Sequence, residues 1–148
     1  MPIFKAPENI NGRDKNLPSV FLAGSIDMDK AVNWQVYCEE RLDSKFNVFN
    51  PRRKSWDSTW KQEIGDNPFT KQVEWELDAM EQADHILLFF ASENLSPISL
   101  LEFGLYANSG KLSVVCEEGF WRKGNVDIVC HRYNIDQFEN LDVAMDEL

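Results

Sequence analysis

His85-Ile86-Leu87-Leu88-Phe89-Phe90, followed closely by Ser96-Pro97-Ile98-Ser99-Leu100-Leu101-Glu102-Phe103-Gly104-Leu105-Tyr106-Ala107, is the stretch that decides the fold. A short continuous apolar run bounded by polar residues reads as a strand buried on both faces. Pro97 then suits the first turn of a helix, where its missing N–H is no loss. A buried strand feeding a helix belongs to a parallel crossover unit, and it puts Glu102 above the carboxyl edge of a sheet, where open α/β folds bind ligands. A carboxylate in an otherwise apolar helix has two readings at this point: a nucleophile, or a glutamate near the helix start that complements the helix dipole.

The same alternation extends in both directions. Ser19-Val20-Phe21-Leu22-Ala23-Gly24 reads as a buried strand, and Gly24-Ser25 as a tight turn whose backbone N–H groups face a ligand. Ala31, Trp34, Val36, Tyr37, Cys38 and Leu42 recur at roughly helical spacing, and Phe46-Asn47-Val48-Phe49-Asn50 is a short strand stopped by Pro51. From Arg52 to Lys71 no period is visible; a loop of that length in a compact domain is usually functional or a lid. Thr70 is placed to cap a helix reaching about Ala83, Gly110 to end the Glu102 helix, and Lys111 to Cys116 to form a further strand. Asn125 to Cys130 fits strand and helix equally, and Phe138 to Leu148 has weak helical spacing.

Strands alternating with helices predict an α/β fold, a flavodoxin-like (doubly wound) five-stranded mostly parallel sheet with helices on both faces. Residues 1-18 read as an N-terminal arm and 19-148 as a single domain. A chain of 148 residues is long enough to bury a core without metal or disulfide support. Three cysteines, Cys38, Cys116 and Cys130, without metal-ligand spacing fit a reduced, cytoplasmic setting. There is no apolar signal region and no run long enough to cross a bilayer. A net charge of −10 repels polynucleotides and anionic membranes, which leaves small molecules as the expected partners.

Glu76 is the second carboxylate of interest. Val73, Leu77 and Met80 draw the apolar face of its helix, and Glu76 borders that face. Two carboxylates at one pocket divide their roles when one stays ionised and the other, raised in pKa, carries a proton; the alternative for Glu76 is a solvated helix residue. Asp84 reads as a turn residue, and His85 and His131 are isolated. No phosphate loop, dinucleotide fingerprint or metal-ligand cluster is present, so no cofactor is expected.

Taken together these residues resemble the nucleoside 2-deoxyribosyltransferase family. The likeness is carried, in order, by Val20-Phe21-Leu22-Ala23-Gly24-Ser25-Ile26, by Glu76-Leu77-Asp78-Ala79-Met80-Glu81-Gln82-Ala83-Asp84 and by Leu101-Glu102-Phe103-Gly104-Leu105-Tyr106-Ala107, spanning about Ser19 to Ile128. Asn50-Pro51-Arg52-Arg53 with Trp56, Trp75-Glu76, and Gly119 to Asp127 look like its transferase-like branch. The resemblance implies that Glu102 attacks C1′ of a deoxynucleoside to give a covalent deoxyribosyl-enzyme, which a second base or water then relieves with retention of configuration. It implies that Glu76 helps position the sugar and passes a proton to the leaving base. Phe21, Gly24, Ser25, Asp27 and Ser96 fall at substrate-binding positions, and Asn125 and Asp127 near a segment that completes a neighbouring subunit's site.

Two departures stand out: Phe21 replaces a tyrosine whose hydroxyl steadies the nucleophile, and Ser96 replaces an acid that contacts the base. Hydrolysis of deoxynucleosides or their 5′-monophosphates is the competing activity implied. The acidic Asp27-Met28-Asp29 turn disfavours phosphate, whereas Arg52, Arg53 and Arg122 are available to clamp one. A non-catalytic nucleoside or nucleotide sensor is the third reading. A homo-oligomer is expected, with Phe120 and Trp121 suited to a subunit contact.

Overall fold

A computed structural model of the chain describes residues 3–25, 33–53 and 59–148. The elements run β1 (Ile3–Lys5), β2 (Ser19–Gly24), α1 (Trp34–Leu42), β3 (Asn47–Asn50), α2 (Pro68–Gln82), β4 (His85–Phe90), α3 (Pro97–Tyr106), β5 (Leu112–Cys116), α4 (Lys123–Arg132), β6 (Asp136–Phe138) and α5 (Leu141–Asp146). The sheet has six strands in the order β1-β3-β2-β4-β5-β6, and every pairing is parallel. Without β1, the order is that of a flavodoxin-like doubly wound sheet.

Six parallel strands replace the expected five mostly parallel ones, for two reasons. Ile3–Lys5, inside a polar and irregular arm, pairs with β3 as an edge strand, and Phe4 packs edge-on against Phe49. Asp136–Phe138 is too short and too exposed to show a strand pattern, yet it pairs with β5. Asn125 to Cys130 resolves as the middle of α4. Helix α2 starts earlier than Thr70: Asn67 is its N-cap, accepting from the Thr70 N–H at 2.8 Å, and Pro68 occupies the first turn.

Strand alternation divides the core in two. Phe21, Ala23, Phe49, Ile86, Leu88, Phe90 and Val114 face α2, α3 and α4, while Val20, Leu22, Val48, Leu87, Phe89 and Val115 face α1 and α5. Both α2 and α3 pack on β2, the strand beside which the order reverses. Among the described residues no helix is long and apolar enough to cross a membrane.

Candidate active site

Helix α3 buries its acid and exposes Leu101 and Leu105. Phe103 is buried edge-on against Phe90, with ring centroids 5.9 Å apart, and this contact turns the adjacent Glu102 inward to 8% exposure. Ile98, Leu101 and Leu105, on the side away from Phe103, are 58 to 64% exposed. Glu102 is the sixth residue of the helix, past the first turn in which a helix dipole acts on a carboxylate. Dipole compensation therefore gives no account of its burial.

Burial raises the Glu102 carboxyl to about 8, with a further upward push from the charge on Glu76. Burial likewise raises Glu76 to about 7, against a lowering hydrogen bond from Gln72. Glu76 is thus no solvated surface residue: α2 and α3 bring two desolvated carboxylates within electrostatic reach of each other. No hydrogen bond among the described residues reaches the Glu102 carboxylate. Phe21, fully buried with its ring centroid 6.4 Å from that of Trp75, has no hydroxyl to supply one.

Gly24, Ser25 and Ser96 join β2, β4 and α3 at the carboxyl edge. The Ser25 N–H donates to Phe89 O at 3.0 Å, so this N–H is bound to the neighbouring strand and does not face a ligand as expected. The Ser25 and Ser96 hydroxyls lie 2.7 Å apart, Ser25 Oγ accepts from the Ala91 N–H at 3.0 Å, and the Trp34 indole donates to Ser25 O at 3.0 Å. Ser96, N-cap of α3, holds a left-handed conformation at φ 50° and ψ 52° without capping the helix through its side chain. These bonds fix where α3 begins and hence where Glu102 stands.

Asn125 and Asp127 lie on α4. Asp127 accepts from Lys123 at 2.8 Å and from Gln137 at 2.6 Å; partial burial pulls its carboxyl upward, but those two bonds win and hold it below the ordinary range. Gln137 belongs to β6, so Asp127 is directed toward a strand two places from β4, and Asn125 is exposed. Phe120 is not a surface aromatic: it is buried in the core, 4.8 Å from Phe90. Trp121 is half-exposed, and its indole donates to Leu95 O at 2.8 Å. Asp27 and Trp56 lie outside the described residues.

Two buried amides escaped the sequence reading. Gln72 contacts Glu76 from one helical turn earlier, a spacing that makes helix neighbours. Gln35, fully buried in α1, has neither side-chain polar atom hydrogen-bonded among the described residues. A cavity of about 260 Å³ lined by Tyr37, Phe89, Glu117 and Asp142 opens on the α1 and α5 face, the other side of the sheet from the two glutamates. Among the described residues no three His, Cys, Asp or Glu side chains group as metal ligands.

This pair of acids, one buried and one half-buried, over the reversal point of a doubly wound sheet sits within a sequence match. The profile of the family described as nucleoside 2-deoxyribosyltransferase like covers residues 17–120, and the chain belongs to that family. No curated protein matches the sequence significantly.

Proposed function

We propose that the protein transfers 2-deoxyribose between nucleobases, with Glu102 as the nucleophile and Glu76 as the proton carrier. The observation that carries this reading is the burial of Glu102 beside a second raised carboxyl in a member of this family. Attack of a Glu102 oxygen on C1′ forms an ester-like bond as the C1′–N bond breaks, and Glu76 delivers its proton to the departing base. The incoming base attacks the same carbon, returns its proton to Glu76 and releases Glu102, so two inversions retain configuration. No cofactor enters this scheme.

Partners in this reading are deoxynucleosides, free bases and further copies of the chain. An assembly through the outer face of α3 is supported by its exposed Ile98, Leu101 and Leu105, an apolar stripe at helical spacing that continues to Leu95 and Trp121. Hydrolysis of the same bond is the runner-up. A non-catalytic nucleoside sensor is favoured by one observation, the lack of any hydrogen bond to Glu102 among the described residues.

Incubation with a deoxynucleoside and a different free base separates the three. Exchanged nucleoside is the expected result, free sugar indicates hydrolysis, and binding without turnover indicates a sensor. Mass spectrometry of the protein with a deoxynucleoside alone should find a deoxyribosyl adduct on Glu102, absent in Glu102→Gln.

A further inference from the structure

We propose that Gln72 is a positioning residue of this site, orienting the Glu76 carboxylate and tying it to the segment that follows β3. The inference rests on the reading of Glu76 as proton carrier and adds how that group is held. Gln72 is almost fully buried, and its amide makes three bonds. Its Nε2 donates to Pro51 O at 3.0 Å and to Glu76 Oε2 at 3.2 Å, and its Oε1 accepts from Arg53 Nη1 at 3.1 Å.

The partners dictate which way the amide lies. A guanidinium only donates, so it requires Oε1; a main-chain carbonyl and an ionised carboxylate only accept, so they require the NH2 group. Turning the amide over breaks all three bonds. Gln72 is therefore locked by two groups of the 51–53 segment and presents one N–H to Glu76 in a fixed direction. Arg53 also stacks over Trp60, 4.9 Å from guanidinium to ring centroid, which connects the lock to the long loop leading into α2.

Two charged groups bear on Glu76 from other elements: Glu102 on α3, and Arg53 in the segment after β3, acting through the neutral Gln72 amide, with Arg52 beside it in sequence. Because the Gln72 N–H favours the ionised form, its loss leaves the upward push of burial unopposed.

The test is a titration of the Glu76 carboxyl by carbon NMR in the full chain, alongside steady-state exchange kinetics. In Gln72→Met, which keeps the bulk and removes the amide, the Glu76 midpoint should rise above its wild-type value, and kcat should fall about 10-fold while KM changes less than about 2-fold. Arg53→Met should raise the midpoint in the same direction by less. A folded Gln72→Met with an unmoved midpoint overturns the proposal; if that variant does not fold, Arg53→Met decides it on the same criterion. Should the wild type neither exchange nor hydrolyse while the midpoint moves, the positioning role stands and the catalytic reading falls. Turnover with an unmoved midpoint means the reverse.

Discussion

Glu76 and Glu102 project from the two helices that pack on β2, and the charge of the first raises the pKa of the second. Two carboxyls in this relationship titrate as a pair. With the sites raised to about 7 and about 8, the pair passes through a form carrying one proton between those values. Because Glu102 has the higher value, the single proton rests mainly on it; double displacement draws on the other arrangement of that form, with the proton on Glu76 to protonate the leaving base and Glu102 ionised to attack.

The rate should accordingly be bell-shaped in pH. We expect kcat/KM to peak between about 7 and about 8 and to fall on both sides. Replacing Glu76 by Gln removes the alkaline limb, because its proton no longer titrates. It also moves the acid limb down, because Glu102 loses the like charge that raises it. A pH-rate profile of Glu76→Gln with both limbs in place would remove this pair from the chemistry.

Stability should run against activity at the same residue. Glu102 is raised from 4.5 to about 8, so the folded state binds its proton more tightly than the unfolded chain does. Folding is unopposed by this group below about 4.5; as pH climbs toward 8 the unfolded chain ionises first, and the native state loses stability over that window. A shift of this size is on the order of 2 to 5 kcal/mol. Glu102→Gln should abolish turnover yet melt several degrees above wild type at pH 8, with the gap shrinking toward pH 5. Thermal melts of both proteins across that range check it, and a gap independent of pH contradicts it.

How much of this was legible in the sequence follows from where the signal resides. The unbroken apolar runs of β2, β4 and β5 mark buried parallel strands, and the parallel crossover places Glu102 at their carboxyl edge. The edge strands β1 and β6 are three residues each, held by pairing to a neighbour and not by their own pattern, so they carry no local sign. The inward turn of Glu102 was partly legible, since a lone acid among leucines is conspicuous. That Leu101 and Leu105 face out while the acid is buried is decided by Phe103 against Phe90, a tertiary contact. Gln72 was missed because a glutamine on a polar helix looks solvated until Pro51 and Arg53 are seen to close over it.

Gly24 should admit no side chain. Its φ is +142°, and a Cβ there would lie 2.2 Å from Phe89 O and 2.9 Å from the Trp34 ring. The contact with the β4 backbone cannot yield without parting β2 from β4 at the site's edge. Gly24→Ala should cost more than about 3 kcal/mol, measured by urea unfolding, or prevent folding altogether. A variant of native stability would mean that the strand end reorganises freely.

The outer face of α3 offers the last prediction. Ile98, Leu101 and Leu105 recur at spacings of three and four, so they form one stripe on the side of the helix opposite Phe103, with Glu102 at its border, one turn from Ile98 and from Leu105. Such a stripe on water gains nothing for the monomer, since Phe103 and Ser99 already make the inward face. Covered by the same helix of a second copy, each leucine removed from water contributes about 1 to 2 kcal/mol, and a two-fold contact uses every residue twice. Leu101→Lys combined with Leu105→Glu should leave far-UV circular dichroism unchanged, because neither side chain supports the core. Sedimentation should show wild-type assemblies falling to monomers in the double variant. If the wild type sediments as a monomer at high micromolar concentration, or the variant keeps its assembly, α3 is not the interface. Loss of exchange activity on dissociation, with Glu102 and Glu76 intact, would further indicate that a neighbouring copy completes the site.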